Sequence, residues 1–166
     1  CGFGRLGKMF GGEVLGYRAH SVSIAKALSS AYVPIAGVMI PENMYQAMVD
    51  ESRKIGVFGH GYTYSGHPVA AAVAVKTLEI YARERIIEKV PAKAALFQAR
   101  LRQIGEHPLV GEARGLGLVA GVEMVADKTT KKNFEAAKGV SRRASVFAEE
   151  EGLIVRALPG DVLTIC

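Results

Sequence analysis

At 166 residues, 49% hydrophobic and 22% charged, the chain has the composition of an ordinary globular protein with room for one core or slightly more. Its net charge of +5 is scattered, with only short pairs such as Lys131-Lys132 and Arg142-Arg143 and no basic stripe interleaved with aromatics, so nucleic-acid binding is not expected. No apolar run is long enough for a membrane span and no signal peptide is legible. The two cysteines, Cys1 and Cys166, have no metal or redox spacing, so no metal site is expected and a reducing, cytoplasmic setting is the default.

Residues 1–17 are Gly-rich and are expected as loop. Ser21–Ala25 reads as a short buried strand leading to Lys26, and Ile35–Ile40 as a second apolar strand closed by Pro41. Glu42–Glu51 fits a helix with Met44, Ala47 and Met48 on one face. Residues 52–67 form a long polar, Gly-rich loop, a kind that is usually functional inside a compact domain. Pro68 suits a first helical position, and Val69–Ala82 continues as an apolar, Ala-rich helix. Helical pattern resumes over Glu84–Ile104.

After His107-Pro108 the pattern changes to alternating strands over Val110–Arg114 and Leu116–Val125, with Gly115 and Gly117 at the bend. Val140–Glu150 reads as an amphipathic helix stopped by Gly152. Leu153–Leu158 is a further strand, Pro159-Gly160-Asp161 a turn, and Val162–Cys166 the start of a returning strand. An α/β segment, 1–104, is thus followed by a small α+β unit, 105–166, with the boundary near Gly105. The chain opens on Cys-Gly-Phe-Gly-Arg and stops inside a strand, so both ends are expected to be cut from something longer.

Gly2-Phe-Gly4-Arg-Leu-Gly7 matches the dinucleotide fingerprint G-x-G-x-x-G. That fingerprint needs a strand before it, a helix after it and an acidic residue about twenty positions on. None is visible, so a nicotinamide oxidoreductase is a distant alternative.

The most informative residue is Lys26, in Ser-Ile-Ala-Lys-Ala-Leu-Ser-Ser-Ala-Tyr. Its neighbours Val22, Ile24, Ala25, Ala27 and Leu28 imply partial burial, which disfavours an ammonium and makes an amine able to form a Schiff base. On these residues alone, a lysine that ends an apolar strand and carries its charge to water is the favoured reading.

Three stretches together carry a resemblance: Cys-Gly-Phe-Gly-Arg-Leu-Gly-Lys-Met-Phe, Ile-Ala-Lys-Ala-Leu-Ser-Ser-Ala-Tyr-Val-Pro-Ile and His-Gly-Tyr-Thr-Tyr-Ser-Gly-His-Pro-Val-Ala. In this order and spacing the chain resembles the class III aminotransferases, pyridoxal-phosphate enzymes of the aspartate-aminotransferase fold (fold type I), and is nearest in wording to the ω-amino acid:pyruvate transaminases. The resemblance implies an α/β fragment. Residues 1–104 would be the C-terminal part of the large cofactor-binding domain, and 105–166 a truncated small α+β domain.

The resemblance also implies roles. Lys26 matches the lysine that forms the Schiff base with pyridoxal 5'-phosphate and moves the proton between substrate and cofactor. Thr63 matches a threonine that hydrogen-bonds the cofactor phosphate from the neighbouring subunit, and Tyr62 an aromatic position near that phosphate; a Gly-rich loop allows such an approach to an anion. Arg156 matches an arginine that pairs bidentately with the substrate carboxylate. Without the family, Thr63 is a loop hydroxyl and Arg156 an exposed strand arginine. Arg5 is expected to be structural, His67 a helix cap, and His60 has no assigned role.

The implied activity is a two-stage transfer of an amino group from an amine or ω-amino acid to a keto acid such as pyruvate. Because Thr63 acts across an interface, a homodimer or higher assembly is implied. Leu6 stands where the family usually has threonine, and Ala19-His20 where it often has Pro-Asp. The family's aspartate for the pyridine nitrogen precedes the Cys-Gly-Phe-Gly-Arg stretch, so the resemblance implies that this chain alone catalyses poorly. Other fold type I activities (aminomutase, decarboxylase or racemase) and a non-catalytic remnant remain alternatives.

Overall fold

Proline and glycine punctuate the elements. The computed structural model describes residues 1–166. In chain order the elements are α1 (Gly11–Leu15), β1 (Val22–Ala25), β2 (Ala36–Met39), α2 (Glu42–Ile55), α3 (Pro68–Arg83), α4 (Ile86–Gly105), β3 (Val110–Leu116), β4 (Val119–Met124), α5 (Val140–Glu150), β5 (Arg156–Leu158) and β6 (Val162–Ile165). Pro41 precedes α2, whose end is closed by Gly56 at φ +80°, and Pro68 occupies the first turn of α3. No helix is long and apolar enough to cross a membrane.

Contacts divide the chain into two compact units. One comprises Cys1, Phe3–Met9 and Ile87–Cys166; the other comprises Gly2 and Phe10–Ile86. Helix α4 therefore belongs with the sheet that follows it.

In the first unit the strand order is β3-β4-β6-β5, all antiparallel, with Leu116 opposite Val119 across a tight turn. The alternation in β4 is regular, and it buries Ala120, Val122 and Met124. Leu101 from α4 joins Val110, Ala120 and Val122 in one cluster, with Phe97, Ala113, Leu163 and Ile165 packed around it. At about 1.5–3 kcal/mol for each fully buried large apolar side chain, this cluster is the unit's main source of cohesion.

The Gly-rich opening segment is packing material in this unit. Gly4, at φ +97°, lies so close to α4 that a Cβ there would meet Ile87 Cγ1 at 2.9 Å, and Gly7, at φ +91°, lies against Pro91. The Arg5 carbonyl accepts the Leu118 N–H at 2.9 Å, which joins this loop to the β3–β4 turn. Gly4 and Gly7 of the apparent dinucleotide fingerprint thus serve close packing on α4, and Arg5 contributes through its backbone.

Helix α5 has no side-chain cap of its own, since Gly139 precedes it in a left-handed conformation. Asp161, from the β5–β6 turn, supplies one by accepting the Ser141 N–H at 2.9 Å, while its carbonyl accepts the Met124 N–H. The turn that orients β5 is thereby fixed from two sides.

Asp127 closes another turn by accepting the N–H groups of Thr129 and Thr130 at 2.8 and 3.1 Å. These bonds, foremost the one from Thr130, hold its carboxyl below the usual carboxylate range. A carboxyl with a lowered folded value contributes stability above its unfolded value, about 3.9, and loses it as pH falls through the lower folded value. The Thr129 and Thr130 amide resonances are therefore expected to move together in an acid titration, with a midpoint below that of an unfolded aspartate. A midpoint at or above the unfolded value would contradict the bonding.

The second unit pairs β1 with β2 in an antiparallel ribbon, Val22 opposite Met39 and Ala25 opposite Ala36. Its buried apolar side chains are few, Leu28 and Ala74, with Ser29 and Thr77 buried beside them in the chain. Helix α3 packs on the 3-10 turn Lys26–Leu28.

Several expectations are corrected. Residues 1–17 contain α1, a one-turn helix in which the Glu13 carboxylate accepts the Phe10 N–H. Helix α2 runs on to Ile55, past the expected end at Glu51 and into the expected loop; its Met44 and Met48 face is exposed, and it buries no residue. Gly115 lies inside β3 opposite Ala120, so the bend is at Gly117, φ +60°. The strand expected over Leu153–Leu158 is confined to Arg156–Leu158, because pairing with β6 begins at Arg156 opposite Thr164.

Candidate functional site

Strand β1 delivers Lys26. Ala25 is fully extended, at φ −164° and ψ −167°, and Lys26 then takes φ +55°. The left-handed region is costly for a residue with a Cβ, on the order of 1 kcal/mol, and persists only where surrounding bonds enforce it. Those bonds are present. The Lys26 carbonyl accepts the Ser29 and Ala31 N–H groups at 3.1 and 3.2 Å, and Ser29 Oγ donates to the Val33 carbonyl at 2.7 Å. Leu28 and Ser29 point inward, 8% and 1% exposed, and anchor the turn.

Lys26 itself is exposed. This corrects the expected partial burial. Alternation along β1 half-buries Val22 and Ile24, and the left-handed turn at residue 26 leads the chain out of that pattern. The apolar neighbours in the sequence are therefore not a cover over the amine.

Tyr62 and Thr63 occupy one turn, Tyr62-Thr63-Tyr64-Ser65, in the same unit as Lys26. Ser65 closes it twice: its N–H donates to the Tyr62 carbonyl at 2.9 Å and its Oγ accepts the Tyr62 N–H at 3.2 Å. Thr63 is exposed at the tip, a few residues before the N-terminus of α3, which has no acidic residue in its first turn. The positive end of the helix dipole and an open hydroxyl are suited to an anion. Gly66, at φ +67°, reverses the chain into the helix.

Two features of this loop were not legible beforehand. Phe58, His60 and Tyr62 form a run of edge-to-face rings with centroids 5.7 and 5.3 Å apart, so His60 braces Tyr62. The signal available was the i, i+2 spacing of aromatic residues, which in an extended segment falls on one side. His67 precedes α3 at the capping position, but its side chain makes no cap bond and instead meets the Tyr64 ring at 6.4 Å.

A cavity of about 1020 Å³ lies beside this loop, lined by residues that include Val33, Ile35, Ala36, Tyr62, Tyr64 and His67. Ala36 pairs with Ala25, the residue before Lys26. The cavity thus touches Tyr62 and the strand partner of the lysine's neighbour, while Lys26 and Thr63 are not in its wall.

Arg156 belongs to the other unit. It opens β5 at the edge of the four-stranded sheet, with its side chain exposed and its carbonyl accepting Thr164 Oγ at 3.2 Å. Its strand packs on α5.

The architecture is that of the α/β pyridoxal-phosphate proteins of fold type I. A crystal structure of the omega transaminase from Pseudomonas jessenii in complex with PMP matches all of this chain and 36% of that one, at 41% identity and a TM-score of 0.95. Residues 1–165 match the family model aminotransferase class-III, and the chain belongs to that family. It is 44% identical to the putrescine–pyruvate aminotransferase of Pseudomonas aeruginosa, over 99% of this chain and 35% of that enzyme. It is 40% identical to the chloroplastic gamma aminobutyrate transaminase 3 of Solanum lycopersicum, over 98% of this chain and 31% of that enzyme. The chain spans about a third of the length of these curated relatives.

Proposed function

We propose that the intact protein is a pyridoxal-phosphate-dependent aminotransferase. It would move an amino group from an amine or ω-amino acid to a keto acid such as pyruvate, with Lys26 as the amine that holds the cofactor aldehyde. The observation that carries this reading is the Lys26 amine, open to reagents on an enforced left-handed turn, in a chain matched along its length by one aminotransferase family. The putrescine–pyruvate enzyme supports the choice of an amine and pyruvate.

The residues present suit the cofactor. An open primary amine answers an aldehyde, and an open hydroxyl near a helix N-terminus answers a phosphate. Pyridoxal phosphate, when bound, supplies an exchangeable aldehyde and a ring that accepts the electron pair freed at the substrate carbon. Lys26 would hold the cofactor through its amine and, once freed, could accept the proton lost from the substrate carbon. Thr63 would donate its hydroxyl hydrogen to the phosphate of a neighbouring subunit's cofactor, with Tyr62 beside it. Arg156 offers a planar fork to the substrate carboxylate.

In this reading residues 1–104 end the large cofactor-binding domain and 105–166 begin the small one. The separate four-stranded sheet that follows Gly105 supports that division, although contacts group α4 with that sheet. The protein would act as a homodimer or larger assembly, because Thr63 serves a neighbouring subunit's phosphate in the resemblance. The exposed apolar side chains of α2, Met44, Tyr45 and Met48, are in keeping with a covering partner. A cytoplasmic setting fits two free, exposed cysteines.

The test is to add pyridoxal phosphate to the intact protein, record the visible absorbance band, fix the adduct with borohydride and map the labelled peptide. Label on the peptide containing Lys26 is expected. No band, or label confined to other lysines, would sink the proposal.

A further inference from the structure

The turn that carries Lys26 is tied to α3 by a side chain 55 residues away in sequence. Tyr81, half-buried in the last turns of α3, donates its hydroxyl hydrogen to the Ala27 carbonyl at 2.9 Å. Its hydroxyl oxygen also lies 3.1 Å from Ser30 Oγ, the second partner within the same turn. The Ala27 carbonyl already accepts the Ser30 N–H at 3.2 Å, so Tyr81 completes its second acceptor site.

We infer that Tyr81 is a positioning residue that holds the Lys26 turn, and through it the direction of the reacting amine. The inference deepens the proposed function and rests on its reading of Lys26 as the amine that holds the cofactor. The physical case is that a left-handed lysine persists only where surrounding bonds over-determine it, and the Tyr81 hydroxyl adds a tertiary bond to those the turn makes itself. The Lys26 carbonyl is engaged by the turn itself, through Ser29 and Ala31. The Ala27 carbonyl is engaged once within the turn, by the Ser30 N–H, and its second bond comes from the Tyr81 hydroxyl of α3. A phenylalanine would fill the same space without the bond, so the hydroxyl can be removed while its packing is kept.

The experiment compares Tyr81→Phe and Ser30→Ala with the unsubstituted intact protein by two readouts. The first needs no cofactor: hydrogen exchange of the Ser29, Ser30 and Ala31 amides, whose bonds define the turn. In Tyr81→Phe these amides are expected to exchange about tenfold faster, with amides in the middle of α3 and the unfolding midpoint unchanged. Ser30→Ala, which leaves the bond to the Ala27 carbonyl in place, is expected to give a smaller increase. The second readout is the rate of borohydride-fixed pyridoxal phosphate labelling at Lys26 across pH, expected to be slower in Tyr81→Phe by a similar factor at equal final label.

Unchanged exchange in Tyr81→Phe would overturn the positioning role whether or not cofactor binds. Faster exchange together with an unchanged labelling rate and pH profile would overturn it also, because the hydroxyl would then steady the turn without directing the amine. If the unsubstituted protein takes no label at Lys26, the reading of Lys26 fails and this role for Tyr81 falls with it. Exchange at Ser29–Ala31 would still report separately whether the hydroxyl holds the turn.

Discussion

Lys26→Ala in the intact protein is expected to lower the amino-transfer rate about 10³-fold or more while leaving the unfolding midpoint nearly unchanged. The two effects separate because of where the residue sits. Lys26 is exposed, and surface substitutions away from special features usually change stability by within about 0.5 kcal/mol. Alanine also inherits the same left-handed backbone at φ +55°, so the strain is common to both chains and largely cancels. The chemistry has no such substitute. General acid–base work by one positioned group is worth roughly 10²–10⁴-fold, and the covalent hold on the cofactor adds to it. A small primary amine added to the solution should restore part of the rate, whereas Lys26→Arg should not, because a guanidinium stays protonated throughout the working pH range. Steady-state kinetics with and without added amine decide the matter. A variant that keeps its activity would remove Lys26 from the mechanism.

Gly117→Ala is expected to destabilise the protein by about 2–4 kcal/mol, one of the largest single-residue effects available in this chain. Two penalties coincide. Gly117 sits at φ +60°, where a Cβ is strained, and a Cβ there would also stand 2.6 Å from Leu6 Cα and 2.7 Å from the Arg5 carbonyl oxygen. Both obstacles are backbone and cannot swing aside. The loop over residues 3–9 would have to retreat, taking with it the bond from Leu118 to Arg5. Gly121→Ala is the matched control. In β4 a Cβ would meet Val162 Cγ1 at 3.7 Å, an ordinary contact, and a change within about 0.5 kcal/mol is expected. Urea unfolding of the two variants checks the contrast, and equal midpoints would refute it.

The reach of the sequence differed with the physics of each element. Helix α5 was expected over the range it occupies, and α3 to within a residue at each end, because Pro68 and a continuous Ala-rich run leave little ambiguity. The hairpin of β3 and β4 was legible from alternation. Helix α1 was not, since its cap is a Glu13 carboxylate reaching back to Phe10 inside a Gly-rich stretch without periodicity. The exposure of Lys26 was hidden by the same apolar neighbours that drew attention to it, because composition does not reveal a left-handed φ. Asp161 as the cap of α5 and Tyr81 as a partner of Ala27 depend on contacts 20 and 54 residues apart, which no local pattern encodes. Family resemblance, in contrast, rested on three separate stretches whose order and spacing are hard to meet by accident.

The opening loop and the sheet it lies against are separated in sequence by the whole of the other unit, roughly 80 residues from Phe10 to Ile86. Closing a loop of that length costs about 4 kcal/mol of chain entropy before a single contact to α4 is made. During synthesis the segment Phe3–Met9 is made before the stretch around Gly117 and Leu118, and it can dock only once that stretch has followed. The sheet unit is thus closed by a segment synthesised a whole unit ahead of the strands it packs beside.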